Sequence, residues 1–185
     1  MTSPPSPPNR RKQELPPDPV GLLEACRSRN DSQKCRLFAV ACCRRIWEHL
    51  GEELLAAVVV AENFAHGLVD DNARVSAGSA VRQQCEYADS DSSAADRFQA
   101  FKAEAVLCTL FGDHDYPPIP TYATTCAIAC SRAVIEVISA NAELSGECEQ
   151  SICARVAFER EWQREYLRRE FGLSPASAAD QAVPE

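Results

Sequence analysis

The sequence is poor in the features on which several protein classes depend. Seven glycines in 185 residues, and no alternation of Val, Ile or Thr bounded by turns, leave little from which to build hairpins, so no sheet is expected. The longest unbroken apolar run, Leu54 to Ala61, falls far short of the ~20 residues that a membrane helix needs. None of the cysteines has Cys-x-x-C spacing, so the common zinc-ribbon and thioredoxin signatures are missing. There is no Gly-rich phosphate loop, His-Glu-x-x-His or Gly-x-Ser-x-Gly motif, which leaves nucleotide, zincin and esterase chemistry without a foothold. The start, Met-Thr-Ser-Pro-Pro-Ser-Pro-Pro, carries no apolar stretch of a secretory signal. The expected compartment is therefore the reducing cytoplasm.

What remains is the composition of an ordinary globular domain, with 45% apolar and 25% charged residues. The net charge of −8 is unevenly spread. Residues 1–50 hold nine basic and five acidic residues, whereas residues 51–185 hold ten and 22. An acidic bulk argues against wrapping a phosphate backbone, and only the basic N-terminal region offers a nucleic-acid contact as an alternative. The ten cysteines sit mostly among Ala, Val and Ile. In a reducing compartment they are expected to be thiols that pack as small hydrophobes.

Residues 1–17 contain six of the twelve prolines and the run Arg10-Arg11-Lys12, and read as a disordered Pro-rich tail. Residues 173–185 are small and polar and read as a second tail. Between them, residues 18–172 have helical period and predict one helical domain. Asp18-Pro19 opens a first short helix, and Asp31 caps a second that runs to Leu50 and stops at Gly51. Further helices are expected over about 52–68, 71–88, from Ser92 or Ser93 to Phe111, over 121–144 and over 146–171. The fold class is all-α, a bundle of six or seven mostly antiparallel helices joined by short connections.

The second helix is the most distinctive. At 100° per residue Cys35, Phe38, Ala39, Cys42, Cys43, Ile46, His49 and Leu50 share one arc of about 140°. Cys35, Cys42 and His49 recur every seven residues, but such steps rise about 10.5 Å, too far to share one ion. A second stripe carries Arg36, Val40, Arg44 and Trp47. Trp beside Arg is the composition of a contact anchor, so Arg36, Arg44 and Trp47 are the candidate partner contact; it is also that of a helix packed on two sides. Cys126 and Cys130, four apart, could share a metal only with two further ligands such as Cys108 or His114, and their apolar neighbours favour a buried helix instead. Asp113-His114-Asp115-Tyr116 lies in the longest internal loop, where acid/base chemistry is imaginable but turn residues are commonplace. On the last helix Cys148, Ile152, Val156, Phe158, Trp162, Tyr166 and Leu167 are assigned to the apolar face, opposite Glu161, Arg164, Glu165 and Arg168. No catalytic, cofactor or metal site is assigned.

Three stretches resemble an uncharacterised family of bacterial paralogues. They are Arg36-Leu-Phe-Ala-Val-Ala-Cys-Cys-Arg-Arg-Ile-Trp47, the pair Ala57-Val58 with Ala61-Glu62-Asn63-Phe64-Ala65-His66-Gly67-Leu68, and Arg164-Glu-Tyr-Leu-Arg-Arg-Glu-Phe-Gly172. Where that family continues with Asn-Pro-Phe, this chain has Leu173-Ser174-Pro175. The resemblance implies a helical domain and no chemistry. The expected function is that of a non-catalytic helical module with a protein partner; the alternative is a helical protein that binds a small ligand or metal.

Overall fold

A computed structural model describes residues 19–26, 31–84, 93–110 and 122–173. Among these residues seven α-helices follow one another and no strand occurs. They are α1 (Val20–Cys26), α2 (Ser32–Arg45), α3 (Glu52–Ala65), α4 (Asp71–Gln84), α5 (Ala94–Leu110), α6 (Tyr122–Leu144) and α7 (Glu149–Phe171). The all-α bundle read from the sequence is the fold. The Pro-rich segment 1–17, the Asp18 cap, Cys85, the loop with Asp113, His114 and Asp115, and residues 174–185 lie outside the described residues.

Helix ends follow local chemistry. Asp31 accepts the Lys34 N–H on Oδ1 at 3.1 Å, the bond expected of an N-cap. Ser93 caps α5 by accepting the Asp96 N–H at 3.2 Å, and its hydroxyl donates to the Asp96 carboxylate at 2.6 Å. At the end of α7, Gly172 takes a left-handed conformation (φ 62°). This lets the Leu173 N–H reach back to the Arg168 carbonyl at 3.0 Å. Leu173 is thereby turned inward and buried, so the packed core includes one residue beyond the expected helical segment.

The second helix ends earlier than its periodicity suggests. At Ile46 (φ −108°, ψ 19°) the N–H bonds the Cys43 carbonyl three residues back rather than four. The chain then tightens into a 3-10 turn over Trp47–His49, a common way for an α-helix to finish. Leu50 still enters the core, whereas His49 remains half-buried.

α2 touches α3, α5, α6 and α7, and α6 has its most extensive interface with α5. Phe38, Cys42, Cys43 and Ile46 are fully enclosed between these helices. Among the described residues α6 alone is long and apolar enough (mean hydropathy 1.4) to cross a membrane; in this fold 61% of that apolar window is covered by the rest of the chain. Arg74 is also buried. Its Nε donates to Asp71 at 2.7 Å and its Nη1 to the Leu110 carbonyl. A cation thus meets the carbonyl of the last residue of α5, where the helix dipole favours it.

Candidate functional site

Neighbouring arginines at the end of α2 point to different helices. Arg44 stacks on Trp47, guanidinium carbon 4.1 Å from the ring centroid, and pairs with Glu62 on α3. Arg36 lies over Phe64, also on α3, at 5.3 Å. Trp47 is half-buried and packs against the core. The three residues singled out as a partner contact therefore each have partners inside the chain, and those of Arg36 and Arg44 include α3.

Arg45 turns to α7. Its Nε donates to Glu159 Oε2 at 3.1 Å, and its guanidinium lies 5.0 Å from the Trp162 ring and 5.7 Å from the Phe158 ring. The Glu159 side chain is only 2% exposed. Its other oxygen accepts the Gln163 amide at 3.1 Å, and the Gln163 oxygen accepts the Ser131 hydroxyl at 2.6 Å. A polar chain thus runs from the surface cation Arg45 through two buried α7 side chains to α6. Burial pushes the Glu159 carboxyl above its usual range, opposed by Arg45 and by the bonds from Arg45 and Gln163.

Beside this chain is an open cleft of about 390 Å³, walled by Arg45, Ile46, His49, Ile138, Arg155 and Phe158, among others. Arg155 is held by Glu147 at 2.8 Å. Phe158 is 67% exposed. This corrects the expected apolar face of α7, on which Phe158 and Cys148 were placed inward; both are exposed. The buried seam is Val156, Glu159, Gln163, Leu167 and Phe171. At 100° per residue Phe158 stands about 200° round the helix from Val156. Sequence reasoning missed Glu159 and Gln163 because polar residues fill the inner positions, although the spacing of 3, 4, 4 and 4 along the seam is that of a helix face.

The cysteines form part of the packing. None of the nine described is in a disulfide, and all but Cys148 and Cys153 are buried. The Sγ atoms of Cys43 and Cys130 are 3.8 Å apart, and Cys130 donates to the Ala39 carbonyl at 3.4 Å. The bond to Cys43 and burial both push the Cys130 thiol up. Burial, reinforced by Glu159, does the same at Cys42. Such thiols are poor nucleophiles. Cys130 thus faces α2, and among the described residues no three His, Cys, Asp or Glu side chains form a group that could hold a metal.

The chain matches no protein-family model, no curated protein and no solved structure.

Proposed function

We propose that this chain is a non-catalytic helical module of the reducing cytoplasm that binds a protein partner through the cleft between the end of α2 and α7. The observation that carries the reading is the exposed Phe158 ring beside Arg45 and Trp162, at the lip of the cleft. Phe, Trp and Arg together are the composition of binding hot spots, and a large ring left in water gains most by being covered. The partner surface that fits is an apolar side chain flanked by a carboxylate. The apolar group covers Phe158, and the carboxylate meets the cations Arg45 and Arg155. The Arg45 side chain is 34% exposed even with Glu159 bound, so its guanidinium can also meet an anion from outside. The many buried thiols support the reducing compartment.

The test compares capture from the native cell by the intact chain, by Phe158→Glu and by Leu68→Glu, which alters another exposed apolar residue. A partner kept by the intact chain and Leu68→Glu but lost by Phe158→Glu, at unchanged stability, is the expected result. Capture indifferent to Phe158→Glu would refute the surface.

A further inference from the structure

Only three of the nineteen basic residues are lysines: Lys12, Lys34 and Lys102. Lys34 has an ordinary surface setting, its ammonium 3.2 Å from Asp31 and 5.7 Å from the Phe171 ring. Lys102 is the reverse. It lies on the inner side of α5, 7% exposed, with its nitrogen 4.5 Å from the centroid of Phe98, one helical turn earlier. Among the described residues that ring is its one electrostatic contact, and no carboxylate pairs with it. Phe98 also meets His49, edge-on at 5.7 Å, and His49 is one of the residues that wall the cleft.

A lysine whose stem is buried reaches water, if anywhere, through its tip. With no carboxylate to pair with among the described residues the ammonium is the costly form there; the Phe98 face offsets part of that cost, and burial lowers the Lys102 pKa. Desolvated lysines of this kind are the ones that act as amine nucleophiles.

We propose that Lys102 is a covalent modification site for small aldehydes, a buried amine seated on the Phe98 ring, with no carboxylate partner among the described residues, that condenses with them to an imine. The neutral amine nitrogen adds to the aldehyde carbon, forming the C–N bond as the carbonyl π pair moves to oxygen. Proton transfer from nitrogen to oxygen gives a carbinolamine. Loss of water then forms the C=N bond, so no oxidant or leaving group is required. Burial suits the reaction, because both the neutral amine that attacks and the imine that forms avoid placing a charge there. The narrow exposure restricts the partner to aldehydes of a few atoms. The site is independent of the partner surface at Phe158.

The experiment treats the full chain, near pH ~7, with limiting formaldehyde and cyanoborohydride, whose hydride traps each imine as a methylamine. Mass spectrometry of the digest then gives a rate for each lysine. Lys102 is expected to be methylated about tenfold faster than Lys34, whose ammonium is engaged by Asp31. A Lys102 rate equal to or below that of Lys34 would overturn the proposal. So would labelling of Lys102 that begins only when the chain is denatured.

Discussion

Phe38 and Trp47, nine residues apart across the end of α2, have different relations to the core. Phe38 has no exposed surface and meets Tyr166 of α7 at a ring separation of 5.7 Å. Truncation to Ala opens a cavity in the middle of the bundle, and a loss of about 3–5 kcal/mol is expected in a denaturant melt. A midpoint within error of the intact chain would make α2 peripheral. Trp47 is half-buried, with Arg44 stacked on it. If its role is to hold α2 on α3, Trp47→Ala costs about 2 kcal/mol or more. A cost below about 0.5 kcal/mol, with a partner lost, would instead return it to the contact anchor that its composition suggests.

At the level of the element, α7 is the helix whose inner face sequence patterning misjudged. Its apolar residues are broadly distributed, and Glu159 and Gln163 hold inner positions because Arg45 and Ser131 satisfy them from α2 and α6. Hydropathy cannot see such pairing, since the partners are more than a hundred and about thirty residues away in sequence. The helices themselves were legible, because caps and glycines are local: Asp31, Ser93, Gly67 and Gly172 each act within five residues. The break at Ile46 was not, since nothing in its side chain distinguishes a last α-turn from a 3-10 one.

The buried Glu159 also sets a pH dependence. Its folded pKa is raised above the ordinary value of 4.5, so in the window above that value the folded chain holds a proton that the unfolded chain has released. The stability it contributes is complete below the unfolded value and is lost as pH rises through the folded one. Measured from about pH 5 to about pH 8, the intact chain should lose stability relative to Glu159→Gln, which has no proton to release. A constant difference between the two across that range would contradict this.

For the whole molecule, the cysteines report on how the core is closed. Cys148 and Cys153 are exposed, whereas Cys42 and Cys130 are wholly enclosed with raised pKa values. A thiol reagent should label the first pair rapidly in the native chain and the second only on unfolding, when all ten cysteines react. Fast native labelling of Cys42 or Cys130 would mean that the bundle opens between α2 and α6.

The rotation of α7 in the bundle turns Glu159 inward and leaves Phe158 beside the cleft, and the partner surface depends on it. The most direct test is the denaturant midpoint of Phe158→Ala. With Phe158 in water, only its contact with Arg45 and little packing are lost, and the cost should stay below about 1 kcal/mol. A cost of about 3–5 kcal/mol, that of deleting a buried ring, would place Phe158 in the core and remove the surface on which the proposed function depends.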